Sequence, residues 1–269
     1  MKRIFITGYN GFLGKELLKR GFLPLECDIT QQADVEKSLQ KAKPALLLHL
    51  AGKSNVDYCQ ELSNAETVIQ ANVRGTYYIF QELAQLRLPG TLISTSQVWR
   101  GGFFEKHNED SKITRPVNFY GMSKLSAEAC VSSWGGKVIR TSYLFNAARL
   151  KNNLENMRLN IKQDYPTFIT RSFIDLQDFC DMLELYCDGY YKMPAMLHLA
   201  GNKNVSWYRF MRDIEKHHRF EKSVKPRFFE KKGFAPRPHY GGLNVEKSFA
   251  LGFPQTNYLN GIARLLNES

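Results

Sequence analysis

The segment Gly8-Tyr9-Asn10-Gly11-Phe12-Leu13-Gly14 constrains this chain more than any other stretch of it. It follows a short apolar run, Arg3 to Thr7 (RIFIT), that reads as a buried strand, and it opens a helical pattern over Gly11 to Arg20. The spacing is GxxGxxG rather than GxGxxG. Glycines are required there when the backbone turns tightly and a pyrophosphate lies against bare N–H groups, facing the positive end of the helix. Glycines placed only for packing would give the same letters. Position, order and flanking strand together point to a nucleotide-binding turn.

The rest of the first half alternates in the same way. Strand patterns fall at Phe22 to Ile29, Ala45 to Leu50, Thr91 to Ser94 and Lys137 to Arg140. Helical patterns fall at Asp34 to Lys41, Glu61 to Arg87 (interrupted by Gly75) and Phe119 to Trp134. Such alternation predicts a doubly wound parallel sheet of the Rossmann α/β class, over residues 1–145. Beyond that the pattern loosens into a smaller C-terminal α/β lobe, mainly residues 146–269. Helices are expected at Asn152 to Gln163, Leu176 to Cys187, Ser206 to His217 and Asn257 to Leu266, a strand at Met196 to Leu199, and loop with short extended pieces at 222–240.

Composition removes several classes. No stretch approaches the roughly 18 apolar residues of a membrane span. Met1-Lys2-Arg3 runs directly into the first strand, so no signal peptide is expected. Five scattered cysteines without a CxxC pair suggest free thiols in a reducing, cytoplasmic compartment. His107 and His217-His218 lack metal-site spacing, so no metal is expected. His49, inside ALLLHL, reads as a satisfied core histidine, and Trp99 and Trp207 as packing residues. The net charge of +11 raises nucleic acid, an acidic membrane surface or an anionic small molecule as partners. No RNA-binding pattern accompanies the basic, aromatic stretch 218–240, so neither nucleic acid nor membrane is expected. Segment 215–240 holds eight basic against three acidic side chains, which suits a nucleotide diphosphate.

Asp28, 14 positions after Gly14, ends the second strand pattern. An acid there holds an adenosine ribose hydroxyl and favours NAD; alternatively Asp28-Ile29 lies at the adenine and the usual acid-bearing strand is trimmed. No Arg follows to receive a 2′-phosphate, and NAD versus NADP stays open. Tyr120 and Lys124 form a YxxxK pair, about 6 Å apart along one helix face. An ammonium beside the phenol favours phenolate by about 4 kcal/mol at about 4 Å and an effective dielectric of about 20, before desolvation. Ser94-Thr95-Ser96 presents hydroxyls at the carboxyl edge of the sheet. The glycine turn, the hydroxyl strand end and YxxxK, in this order, define an acid–base site beside a nucleotide.

With TGYNGFLG, HLAGKSNVD, ANVRGT, ISTSQVW and YGMSK in place, the chain resembles the extended short-chain dehydrogenase/reductases. Within them it is most similar to the dTDP-4-dehydrorhamnose reductase family, through Arg140-Thr141-Ser142-Tyr143, LHLAGNKNVSWYRF and APRPHYGGLNVEK. The resemblance implies reduction of the 4-keto group of a 4-keto-6-deoxy sugar nucleotide by NADPH or NADH. It implies Tyr120 as proton donor, Lys124 on the nicotinamide ribose lowering the tyrosine pKa, and Thr95 on the carbonyl oxygen. Gly8, Asn10, Gly11, Phe12, Leu13 and Gly14 would cradle the pyrophosphate, Asp28 and Ile29 would lie at the adenine, and Leu50, Ala51, Gly52 and Lys53 would run along the cofactor. Asn72 would buttress the strand carrying Thr95. Ser96, Gln97, Tyr143 and Arg237 would lie on the sugar-nucleotide side. A homodimer is the assembly left open.

Departures from that pattern keep rivals open. Ser94-Thr95-Ser96-Gln97-Val98-Trp99 stands where the family reads STDYVF, Tyr143 replaces a Trp, and Asn146 lies near a usual Gly. Lack of the acid pair after the hydroxyl argues against a dehydratase but leaves an epimerase. A further alternative is an NADP-binding regulatory subunit like that of methionine adenosyltransferase.

Overall fold

The computed structural model describes residues 3–102, 107–111 and 114–265. In chain order its elements are β1 (Ile4–Thr7), α1 (Phe12–Lys19), β2 (Leu23–Pro24), α2 (Gln32–Ala42), β3 (Leu46–His49), α3 (Val56–Gln60), α4 (Ala65–Ile69), α5 (Gly75–Gln85), β4 (Gly90–Thr95), α6 (Phe119–Ser133), β5 (Lys137–Thr141), β6 (Tyr143–Phe145), α7 (Lys151–Arg158), β7 (Gln163–Pro166), β8 (Thr170–Asp175), α8 (Leu176–Asp188), β9 (Met196–His198), β10 (Asn204–Ser206), α9 (Trp207–His217), β11 (Val224–Arg227), β12 (Tyr240–Gly241), α10 (Glu246–Ala250) and α11 (Tyr258–Arg264).

Six strands form a wholly parallel sheet in the order β2-β1-β3-β4-β5-β9. Leucine alternation builds both faces of it. On β3, Leu46 and Leu48 join Leu13, Leu17, Phe179 and Leu183 from α1 and α8. Leu47 points the other way, among Val35, Leu39, Ile79, Leu83 and Val131 from α2, α5 and α6. The strand order reverses between β1 and β3, and in such sheets that reversal opens a crevice at the carboxyl ends of the strands. The doubly wound sheet expected from the sequence is therefore present.

A second, four-stranded sheet centres on β8, with β6 and β12 parallel to it and β10 antiparallel. Its core stacks Phe173 on Phe210, ring centroids 4.0 Å apart, with Phe145, Tyr258 and Ile262 around them. Ser206 caps α9 by accepting from Arg209 N at 3.1 Å.

Four local expectations are corrected. The strand expected over Phe22 to Ile29 pairs with β1 only at Leu23 and Pro24, because proline lacks the N–H that a longer ladder needs. The Glu61 to Arg87 helix is segmented, with a wider π turn at Gln70–Arg74 between α4 and α5. The helix expected to reach Gln163 stops at Arg158, and Gln163–Pro166 instead pairs in parallel with Val224–Arg227. Helix α3 lies between two expected elements, in a stretch to which the sequence pattern assigns none. The closing helix ends at Arg264, and Leu266 lies outside the described residues.

Candidate active site

Three adjoining cavities follow the crevice. The central one, about 430 Å³, is lined by Gly8, Gly11, Phe12, Leu13 and Gly14 from the β1–α1 turn and Leu50 to Ser54 after β3. Ile93 to Thr95 of β4, Tyr120 and Lys124 of α6, and Thr141 to Leu144 complete it, with Asn72 and Arg149. At one end it shares Ala51, Gly52 and Lys53 with a cavity of about 730 Å³ that holds Asp28, Ile29, Thr30, Glu66 and Gln70. At the other end Ser54, Val56, Gln97, Tyr143 and Arg149 belong also to a third cavity, of about 560 Å³, that reaches Trp207, Arg227 and Arg237.

The glycine turn is fixed by contact as well as by conformation. Gly8 has φ +66°, and a Cβ there would stand 2.7 Å from Ala51 N. A Cβ on Gly14 would stand 2.4 Å from the Gly8 carbonyl oxygen. Helix α1 begins without a side-chain cap and without an acid in its first turn, so its N–H groups remain open to an anion. That cradle fits a dinucleotide pyrophosphate. Asn10 is exposed at the outer edge of the turn and does not line the cavity.

A chain of buried hydrogen bonds holds the loop after β3. Thr7 Oγ1 accepts from Leu50 N (3.1 Å) and Ala51 N (3.2 Å), so it donates to His49 Nδ1 at 2.7 Å. His49 Nε2 lies 3.0 Å from Thr76 Oγ1, which donates to the Asn72 carbonyl at 2.7 Å. Burial lowers the His49 pKa to about 3, so the ring is neutral, with its proton on Nε2. It is the satisfied core histidine expected from the sequence. Asn72, in the π turn, accepts from Lys53 N at 2.7 Å and donates to Lys53 O (3.0 Å) and Ser123 Oγ (2.9 Å). It therefore ties the loop after β3 to α6, not to the strand carrying Thr95. A one-residue widening of a helix is a common way to aim such a side chain.

Helix α6 is set against β4 by its own start. Asn118 caps it, accepting from Gly121 N at 2.8 Å, while its amide donates to Gln97 Oε1 (3.0 Å) and Pro236 O (2.9 Å). At Gly121 a Cβ would lie 2.2 Å from the Gln97 carbonyl oxygen, so only glycine lets the helix approach this closely. This contact brings Tyr120 to Thr95, whose hydroxyl hydrogen-bonds the phenol. Thr95 Oγ1 also accepts from Gln97 N at 3.2 Å. Lys124 is buried and donates from Nζ to the Ile93 carbonyl at 2.9 Å.

The electrostatics correct one expectation. Burial raises the Tyr120 pKa to about 12, against the opposing pull of the Thr95 hydroxyl and the Arg149 cation. Lys124, with its ammonium on the Ile93 carbonyl and its own pKa lowered by burial to about 8, does not reverse this shift in the free protein. Tyr120 is thus held as a protonated phenol, ready to donate. Lys124 keeps its charge with help from Glu128, which forms a buried pair with Arg140 (2.9 and 2.6 Å) and accepts from Ser94 Oγ at 2.6 Å.

The remaining candidates divide. Gln97 and Tyr143 line the seam between the central and third cavities. Ser96 is buried behind that wall, its hydroxyl against Ser142. Arg237 lines the third cavity, but its charge is already paired in a fork with Asp57, 2.7 Å at each oxygen. Arg227 is likewise paired with Asp164. Asp28 accepts from Thr30 N (3.0 Å) and Oγ1 (2.7 Å), which hold its carboxyl below its ordinary value. Trp99 is fully buried, stacked 4.6 Å from His107, and packs rather than lines the site. Arg149 and Asp57 were not legible as site residues. Asp57 sits in the first turn of α3, which Asn55 caps, and that Asn-x-Asp spacing was its one local signal.

Among the described residues no cluster of three His, Cys, Asp or Glu side chains is placed to hold a metal ion, and no helix is long and apolar enough to cross a membrane.

A parallel sheet with a glycine-rich phosphate turn at its reversal point, a hydroxyl at the end of β4 and a Tyr–Lys pair on α6 define an extended short-chain dehydrogenase/reductase. The family model described as RmlD substrate binding domain matches residues 1–269, and the chain belongs to that family. The dTDP-4-dehydrorhamnose reductase of Aggregatibacter actinomycetemcomitans is 28% identical over 238 residues, covering 78% of this chain and 77% of its own length. The β subunit of methionine adenosyltransferase 2 from Xenopus laevis is 24% identical over 98% of this chain and 87% of its own. Among solved structures, the dTDP-4-dehydrorhamnose reductase of Bacillus anthracis in complex with NADP superimposes with a TM-score of 0.89 at 23% identity, covering 100% of this chain and 99% of that one.

Proposed function

We propose that this chain reduces the 4-keto group of a 4-keto-6-deoxy sugar nucleotide with NADPH or NADH. The observation that carries the reading is the meeting of Thr95, Tyr120 and Lys124 with the phosphate turn in one cavity. When bound, the dinucleotide supplies the hydride that reaches the carbonyl carbon. Gly8, Gly11, Phe12, Leu13 and Gly14 would hold its pyrophosphate against the open N–H groups of α1. Asp28 and Ile29 would face its adenosine end, and Leu50 to Lys53, fixed by Thr7, His49 and Asn72, would run alongside.

Thr95 and Tyr120 both point a hydroxyl at the carbonyl oxygen. As the C=O π bond opens, the Tyr120 O–H breaks and its proton passes to that oxygen, leaving an alcohol and a phenolate. The Lys124 ammonium, beside the reacting pair, stabilises the phenolate until solvent returns the proton. Gln97, Tyr143 and Arg237 face the sugar nucleotide. In this reading residues 1–145 mainly bind the dinucleotide and 146–269 mainly the substrate. Five free cysteines support a cytoplasmic setting, and a homodimer is compatible with it.

The test is a panel of dTDP-, UDP- and GDP-4-keto-6-deoxyhexoses with NADPH and NADH, followed at the nicotinamide absorbance. Stoichiometric loss of reduced cofactor with one of them is expected. Rearrangement of the sugar without net cofactor loss would establish an epimerase instead. Tight NADPH binding with no turnover would favour a regulatory subunit instead.

A further inference from the structure

Arg149 lines both the central and the third cavity. Its guanidinium lies 4.8 Å from the ring centroid of Phe12, in the phosphate turn, and 4.9 Å from that of Tyr143, on β6. Two aromatic faces from two different elements thus hold one cation at the seam. Its backbone N–H is tied to Asn146 Oδ1 at 2.9 Å, which fixes the chain beneath it. Among the described residues no carboxylate lies within ion-pair distance, and none of its side-chain N–H groups has a hydrogen-bond partner.

The other guanidiniums of these cavities are occupied. Arg237 is paired with Asp57 and Arg227 with Asp164, and Arg171 is buried with its N–H groups on the Thr170 and Pro238 carbonyls. Of the cations that 215–240 brings to the site, Arg227 and Arg237 are thus neutralised, while Lys231 lies over the Phe234 ring. The unpaired guanidinium, Arg149, comes from outside that segment. A guanidinium stacked on its flat faces keeps its N–H edge for a ligand, and that planar fork matches two oxygens of a phosphate.

We propose that Arg149 is a phosphate-gripping residue at the seam, taking two oxygens of a diphosphate carried by one of the two reactants. The proposal rests on the reductase reading for the identity of those reactants and deepens it. Two sources carry this chemistry, the pyrophosphate of the dinucleotide and the diphosphate of the sugar nucleotide.

Calorimetric titration of the full chain with NADPH and, separately, with dTDP, UDP and GDP tests it without requiring turnover. Arg149→Gln is expected to weaken one class of probe by about tenfold or more. Arg149→Lys should restore part of the loss, since it keeps the charge and loses the fork. The affinity for the same probe should lose part of its salt dependence in the Gln variant. Loss on NADPH assigns the grip to the dinucleotide, and loss on the nucleoside diphosphates assigns it to the substrate. Arg149→Gln binding every probe within about twofold of wild type overturns the proposal. Wild-type protein that binds the probes but reduces no sugar nucleotide overturns the reductase reading and leaves this one standing.

Discussion

Tyr120→Phe is expected to lower kcat by about 10²- to 10⁴-fold while leaving NADPH affinity and the melting temperature close to wild type. Among the described residues Tyr120 is the phenol placed at the end of β4 beside the Thr95 hydroxyl, and burial holds it protonated, with its pKa raised to about 12. Phe keeps the ring and removes only the transferable proton and its hydrogen bond to Thr95. The wild-type pH profile carries the same logic. Lys124, lowered to about 8, is charged below that pH and neutral above it. Its charged form stabilises the phenolate, so kcat should be steady up to about pH 8 and fall as pH rises through that value. A Tyr120→Phe enzyme with kcat within a few-fold of wild type would remove Tyr120 from the mechanism.

Glu128→Ala should be the most destabilising single change near the site, by about 3–5 kcal/mol in urea unfolding. Glu128 and Arg140 are both about 95% buried, with side-chain exposures of 4% and 5%. Two short hydrogen bonds join them, and Ser94 adds a third to the same carboxylate. Removing the carboxylate leaves the Arg140 guanidinium buried under the Trp99 ring, 4.9 Å away, without a counter-charge. The Glu128 charge also supports that of Lys124, so the alkaline limb of any residual activity should move to lower pH. A loss below about 1 kcal/mol would show that the pair is hydrated or replaceable.

The local part of this site was legible from the sequence because its signals are local. Three glycines at fixed spacing after a strand specify the phosphate turn, and a four-residue spacing on a helix puts Tyr120 and Lys124 on one face. Leucine alternation on β3 gives both faces of the sheet. What escaped depends on distant contacts. The parallel pairing of Gln163–Pro166 with Val224–Arg227 joins partners 61 positions apart with no hydrophobic period in either segment. The Asp57–Arg237 pair spans 180 residues, so Arg237 was legible as a basic residue of the lobe but not as an already neutralised one. Arg149 carries no motif, and its position follows only from the way Phe12 and Tyr143 close on it. The direction of the Tyr120 shift was missed because spacing reports the neighbouring ammonium and says nothing of how deeply the phenol is buried, and burial dominates here.

The most direct measurement of the central claim is isotope transfer. Turnover of the preferred 4-keto-6-deoxy sugar nucleotide with reduced cofactor deuterated at the transferring face of the nicotinamide C4 should yield a product bearing one deuterium at the sugar C4. That deuterium should appear in equal amount to the cofactor oxidised. Product without deuterium at C4, or sugar conversion with no cofactor oxidised, would contradict the account.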